Sequence, residues 1–323
     1  MSLVRTPPRR PTFTAGHTDY AARHKLITQD KNKYQSPKYR LVVRFSNRYV
    51  KVQVVAAEIK GDKVLCQASS QELPRYGLKT GLKNYSAAYA TGLLCARRLL
   101  KNLGLDEMYP GVEEIDGSFK SYALDASGAL EEIPEGGRKN SKNYYVEGVD
   151  DNDRKPFRAY LDVGIKRTTR GAKVFAAMKG ASDGGMDIPH NHKRFPGYDP
   201  DTKVYDPEDL KDHIFGGHIG QFMEMMAEDD EENFKKVFKA YIDLDLSAED
   251  LEGLYEGVHA AIREDPSAKK GLTFSESGEL SAFTFKKTGK EIKNQIKKTY
   301  AQRMADIATK KAGLAAGSDD EDN

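Results

Sequence analysis

Hydrophobic and polar residues alternate with period two in three consecutive stretches: Tyr39-Arg-Leu-Val-Val-Arg-Phe-Ser46, Tyr49 to Ile59, and Lys63-Val-Leu-Cys-Gln-Ala-Ser69. Each is rich in β-branched residues, and the Asn47-Arg48 and Gly61-Asp62 junctions suit tight turns, so the pattern predicts an antiparallel meander. The period then becomes helical. Asn84 and Gly104 bracket a helix as N-cap and C-cap, with Tyr89, Leu93, Ala96 and Leu100 as its buried stripe. Arg97, Arg98 and Lys101 fall near its C-terminal end, where cations are favoured. A strand over Phe157–Val163 follows, then a helix over about Gly171–Lys179 that Gly180 ends. The glycine-rich Gly180-Ala-Ser-Asp-Gly-Gly185 leads on to a short strand. Strand, strand, strand, helix, strand, helix predicts an α/β fold of α+β character, with a mixed β-sheet sandwich core.

Around this core, spanning 18–197, the texture changes. Residues 1–17 hold three prolines and three arginines without a hydrophobic period, as in an extended basic arm that orders on a partner. A short basic helix is expected next, capped by Thr18, with Tyr20, His24 and Ile27 along it. Residues 117–156 are rich in Gly, Ser, Asn and charge and look like a long exposed insertion. Residues 198–265 form an acidic helical extension, in which Asp206-Pro207 is a helix start and Ser247-Ala-Glu-Asp250 resembles a capping box. In 266–323 a basic helix over about Lys286–Lys310, with Ile292, Ile296, Tyr300, Met304 and Ile307 on one stripe, precedes an acidic tail.

The net charge of +2 conceals opposed blocks. Residues 1–51 carry twelve Lys/Arg against two acids, 199–265 six against twenty, and 286–311 nine against two. Such a chain is expected to meet a polyanion with both ends and keep its middle off it. No apolar run approaches the ~20 residues of a membrane span, and the Met-Ser-Leu-Val-Arg start lacks the apolar region of a signal peptide. Cys66 and Cys95 lie in apolar stretches and are expected to be reduced core residues of an intracellular protein.

The chemistry this suggests is nucleic-acid binding. Arg5, Arg9, Arg10, Arg23, Lys25, Lys31, Lys33, Lys38, Arg40, Arg44, Arg48 and Lys51 are interleaved with Tyr20, His24, Tyr34 and Asn47. Cations neutralise phosphates and release counterions, while rings and guanidinium planes stack on unpaired bases. The loop Glu72–Lys83 adds Arg75, Tyr76, Lys79 and Lys83 at a helix N-terminus, where backbone amides favour phosphate. Thr168-Thr-Arg-Gly-Ala-Lys173 repeats the arrangement, and the segment contributes Arg167, Arg170 and Lys173. The plainer alternatives are a solvated basic surface and ordinary strand-to-helix connections. Pro189-His-Asn-His192 offers two imidazoles without a third ligand cluster, so neither metal nor cofactor is expected. No P-loop, G-x-S-x-G or H-E-x-x-H occurs, and Glu228–Glu232 lacks the spaced ligands of a calcium loop.

Lys38-Tyr-Arg-Leu-Val-Val-Arg-Phe45, Glu72-Leu-Pro-Arg-Tyr-Gly77 and Tyr85-Ser-Ala-Ala-Tyr-Ala-Thr-Gly-Leu-Leu94 resemble the universal large-subunit protein-eighteen family of ribosomal proteins, in its eukaryotic L-five branch. Arg167–Phe175, Lys179–Gly185, Arg194-Phe-Pro-Gly197 and Ile214-Phe-Gly-Gly-His218 agree, so the resemblance runs from about Thr18 to Asp265. It implies a core resembling a ribonuclease-H-like motif and a structural, non-enzymatic role in the 60S subunit. The implied partners are 5S rRNA, large-subunit rRNA, other large-subunit proteins including the second 5S-particle protein, and assembly factors, with no membrane. A nuclear and nucleolar assembly phase would precede the cytoplasmic ribosome. The insertion is longer than the family pattern, and Ser2–His17 matches loosely, so Arg5, Arg9 and Arg10 rest on charge. Two rivals stay open: a general RNA-binding module, and a nuclease. For the nuclease, Arg40 and Arg44 stand where a metal-binding acid would be wanted.

Overall fold

Capping sets the first element. Helix α1 (Tyr20–Ile27) begins after Asp19, whose carboxylate accepts hydrogen bonds from the amides of Ala21 and Ala22, both at 3.1 Å. Asp19 thus takes the role expected of Thr18, and its negative charge suits the helix N-terminus. This and the following features come from a computed structural model that describes residues 18–124, 130–133, 143–147, 154–268, 284–287, 290–293 and 299–317. The arm 1–17, much of the 117–156 insertion and the acidic tail therefore lie outside the described residues.

The alternating stretches pair as predicted. Strands β1 (Tyr39–Phe45), β2 (Val50–Glu58) and β3 (Gly61–Ser69) run antiparallel. After helix α2 (Tyr85–Leu103), β4 (Ser121–Leu124) and β5 (Leu130–Ile133) pair separately, and β6 (Ala159–Asp162) lies parallel to β1. The result is a four-stranded mixed sheet of order β3-β2-β1-β6. Register decides its faces. Leu41 and Val43 pair with Val54 and Val52 and are fully buried in the core, whereas Arg40, Val42 and Arg44 alternate onto the opposite face.

Helix α2 and helix α3 (Lys173–Asp183) cover the core face. The predicted caps hold: Asn84 Oδ1 accepts from the Ala87 amide at 2.6 Å, and Gly104 adopts φ +64°. Burial extends nearly all round α2, beyond the expected single stripe, because other helices flank it. Helix α3 does not stop at Gly180. A Cβ there would come within 2.1 Å of the Tyr89 carbonyl oxygen, and one at Gly92 within 2.0 Å of the Ala177 carbonyl oxygen. The helices meet backbone to backbone, and the glycines serve that approach instead of a turn. Past α3 the chain returns to the sheet through a single bridge, Arg158 to Asp187, where a short strand was expected.

The acidic segment supplies α4 (Pro207–Phe215), α5 (Gly217–Asp229), α6 (Glu231–Val237), α7 (Lys239–Ile242) and α8 (Asp250–Glu264). Asp206 caps α4 as predicted, accepting from the Glu208 amide at 3.0 Å. At α8 only half of the expected box forms. Asp250 accepts from the Ser247 amide at 3.0 Å, but the helix begins at Asp250 after Glu249. Leu210, Ile214, Tyr255, Val258 and Ile262 join the buried cluster of the sheet, so the acidic helices pack by an apolar face and turn their carboxylates outward.

Residues up to Ser267 form one compact unit and those from Ala268 a second. Within the second, β7 (Thr284–Lys287) and β8 (Lys290–Lys293) make a hairpin, and α9 (Tyr300–Gly317) follows. The single helix expected over 286–310 is therefore corrected. Thr299 and Gln302 form a capping box, with Thr299 N donating to Gln302 Oε1 at 3.0 Å and Gln302 N to Thr299 Oγ1 at 3.4 Å, and this starts α9 late. Ile292 falls on β8, Ile296 lies outside the described residues, and Tyr300, Met304 and Ile307 remain exposed on α9.

Two outcomes follow for the full chain in chemical denaturation. Gly92→Ala lowers stability by about 1–3 kcal/mol through overpacking, whereas Gly253→Ala on α8, where a Cβ meets nothing within 4 Å, raises it by about 0.4–1 kcal/mol. Burial pushes His190 and His218 down to about 4 and His259 to about 3. The unfolded chain then takes up protons first, so stability falls as pH drops from 6.5 towards 4. His259→Leu flattens that decline.

Candidate nucleic-acid interface

The sheet face away from α2 and α3 is organised by one carboxylate. Asp162, at the end of β6, accepts from Arg40 Nη1 at 2.7 Å and from Arg44 Nη2 at 2.8 Å. Arg44 Nη1 also donates to the Asp162 carbonyl oxygen at 2.8 Å. Arg40 Nη2 reaches Asp62 on β3, and Asp62 takes both amino groups of Arg23 from α1 at 2.8 and 3.1 Å. The hydrogen bond from Arg23 holds the Asp62 carboxyl below the usual range. At Asp162 burial opposes ionisation, but Arg44 and Arg40 outweigh it and its pKa is also lowered. The chain of ion pairs ties α1 across the face and leaves a cleft of about 730 Å³ between them.

The predicted contact residues separate into three groups. Arg5, Arg9 and Arg10 lie outside the described residues. A second group is committed inside the protein. Arg40 is 5% exposed and spans two carboxylates, so it positions the face and offers nothing to phosphate. Tyr76 is buried, its hydroxyl donating to the Asp265 carbonyl oxygen at 2.9 Å, and Arg75 pairs with the Asp265 carboxylate at 3.1 Å above the Tyr76 ring. Arg23 is held by Asp62, and Lys38 Nζ donates to the carbonyl oxygens of Lys25 and Thr28, fixing the end of α1. The N-terminus of α2 is likewise filled, by Asn84, whose amide group also donates to the Tyr255 hydroxyl at 2.6 Å.

The third group is exposed and partly gathered. Lys83 Nζ donates to the Asn47 carbonyl oxygen and Lys173 Nζ to the Lys83 carbonyl oxygen, each at 3.1 Å. These contacts join the β1–β2 turn, the loop before α2 and the start of α3, an end with no side-chain cap. Arg48 and Lys51 stand exposed at the same turn, and Lys51 lies directly opposite Arg44 in register. Gly164 (φ +67°) packs on the Arg44 guanidinium, and the exposed loop beyond it carries Arg167 and Arg170. Lys166, in the same loop, was not singled out from the sequence, although its charge was visible there. Burial and the neighbouring Lys83 lower the Lys173 pKa. Unpaired like charges facing one another are destabilising until an anion joins them.

Around α1, His24, Lys25, Lys31 and Lys33 are exposed, and Lys79 is exposed in the separate loop before α2. The rings of Tyr20 and Tyr34 are 74% and 87% exposed. Tyr34 holds φ +50°, a conformation seldom adopted by a bulky residue. Such rings are free to stack on bases. The two imidazoles of 189–192 do not converge: His190 is packed against Phe119, Tyr145 and Phe195, and His192 against Tyr198 and Tyr205.

A mixed sheet with one cation-edged face, whose carboxylates are held by guanidinium groups in place of metal ions, defines a polyanion-binding α/β protein. The comparisons make it specific. The profile of ribosomal large subunit proteins 60S L5 and 50S L18 matches residues 8–191, and that of the ribosomal L18 C-terminal region matches 251–316. The chain is similar to large ribosomal subunit protein uL18 of Neurospora crassa, at 55% identity over 79% of this chain and 77% of that one. Against uL18 of Saccharomyces cerevisiae it is 46% identical over 97% and 95%, and against uL18 of Drosophila melanogaster 47% over 93% and 89%. The chain belongs to this family, and is a 5S rRNA-binding ribosomal protein of the large subunit, not an enzyme.

Asp162→Ala leaves the buried Arg40 with Asp62 as its remaining carboxylate and its Nη1 unpaired, and is expected to cost about 1–3 kcal/mol in denaturation. With the folded pKa values of Asp62 and Asp162 below 3.8, their contribution is complete above that pH and is lost as pH falls further.

Proposed function

We propose that this chain grips 5S rRNA along the edge formed by Arg44–Lys51, Lys83 and Gly164–Lys173, and delivers it to the central protuberance during subunit assembly. The observation that carries the reading is the linkage of Asn47, Lys83 and Lys173, which brings three separate cationic segments to one place. Tyr20 and Tyr34 stack on unpaired bases, and the arm with Arg5, Arg9 and Arg10 extends the grip. The acidic helices α4 to α8 face protein partners, among them the second 5S-particle protein and assembly factors, since RNA repels their carboxylates. Assembly of this kind places the chain in the nucleus and nucleolus before the cytoplasm. The sheet order β3-β2-β1-β6, a meander extended by a parallel strand, supports kinship with the ribonuclease-H-like core.

Titration with 5S rRNA and with an unrelated RNA of equal length, across a salt series, tests the reading. We expect 5S rRNA to bind tighter by orders of magnitude at physiological salt. Replacing Arg48 and Lys51 by alanine should weaken binding and reduce the salt slope by about two. Equal binding of both RNAs, with no change in the double variant, would leave only a general basic surface elsewhere on the chain.

A further inference from the structure

Asp212 and His213 lie in the last turns of α4 and His218 in the first turn of α5, the helices meeting at Gly216 with φ +86°. One ligand atom from each of the three side chains lies within 4.8 Å of the other two. We infer that Asp212, His213 and His218 form a site for one imidazole-preferring divalent transition-metal ion, zinc being the ion that this donor set suits.

His213 already has the second contact typical of a metal ligand. Its Nδ1 lies 2.7 Å from the Asp209 carbonyl oxygen, which fixes the proton there and leaves the Nε2 lone pair for an ion. His218 Nδ1 is buried and without a hydrogen-bond partner, a cost that a bound ion would remove. Asp212 supplies the anionic oxygen and lines an open hollow of about 360 Å³ with Glu208 and Glu252, through which an ion can enter.

The elbow holds these groups close. A Cβ at Gly217 would meet Asp212 Oδ1 at 1.9 Å, and one at Gly216 would meet the Tyr255 ring at 2.7 Å. The two imidazoles are stacked, with centroids 4.6 Å apart and planes 7° from parallel. A shared ion must lie near both ring planes, so one ring has to tilt, and the half-exposed His213 has room to do so. Around the site the carboxylates of Glu208, Asp209, Asp212 and Glu252 outnumber the cations Lys173 and Lys211, a balance that favours a cation. Three protein ligands leave one position for water. Bound there, the ion would clip α4 to α5 at the point where the acidic helices join the core.

The test uses the full chain after chelator treatment, titrated with Co²⁺ under visible absorption and then with Zn²⁺ in competition. One equivalent of Co²⁺ should bind with visible bands and be displaced by Zn²⁺. His213→Ala and His218→Ala should each weaken binding by about tenfold or more, while His24→Ala on α1 leaves it unchanged. Zn²⁺ should also raise the melting temperature of the wild type and not of His213→Ala, whose folded state is checked by circular dichroism. Absence of saturable one-equivalent binding, or undiminished binding in His213→Ala, would overturn the assignment.

Discussion

The Asp162 carboxylate, shared between Arg40 and Arg44, is the interaction on which the arrangement of the open face depends. Asp162 ends β6 and the arginines belong to β1, so the pair locks the parallel edge of the sheet to its antiparallel meander. Through Arg40 the same network continues to Asp62 on β3 and Arg23 on α1. A buried charge network of this kind adds little net stability over an apolar one, but loss of a single member leaves its buried neighbours short of hydrogen bonds. What it fixes here is geometry. Helix α1 has no buried residues, and hydrogen-bonded charges do most of the work of seating it.

From that frame the division of labour among the cations follows. Arg23, Arg40 and Arg44 around the open face are taken up by carboxylates, and Arg48, Arg167 and Arg170 in the turn and the connecting loop remain exposed. Lys83 and Lys173 of the cationic edge are anchored by carbonyl oxygens, which accept hydrogen bonds from them without neutralising their charge. Phosphate can therefore engage groups that are already positioned. The carboxylates Asp62 and Asp162 are in turn filled by guanidinium groups and offer no free face to a cation.

Much of the fold was legible locally. The strands announce themselves by alternation, and α2 and α4 by Asn84, Gly104 and Asp206. The misreadings differ in cause. Gly180 looks like a helix stop because its partner, the Tyr89 carbonyl, is ninety-one residues away in sequence and only the packed structure brings it near. The late start of α9 was written in Thr299 and Gln302, a capping signal overshadowed by the longer run of lysines. For the candidate site, charge was legible and commitment was not. Arg40 and Tyr76 look available until Asp162 and Asp265, 122 and 189 residues further on, take them up. His213 and His218 are too far apart for one helical face, and only the bend at Gly216 stacks them.

The most direct test of the account is lysine-modification footprinting of the chain free and bound to 5S rRNA. The account predicts protection of Lys51, Lys83 and Lys173 together, with Lys211, Lys235 and Lys236 of the acidic helices as reactive in the complex as in the free chain. Protection confined to the acidic helices, or an unprotected Lys51–Lys83–Lys173 edge in a saturated complex, would contradict it.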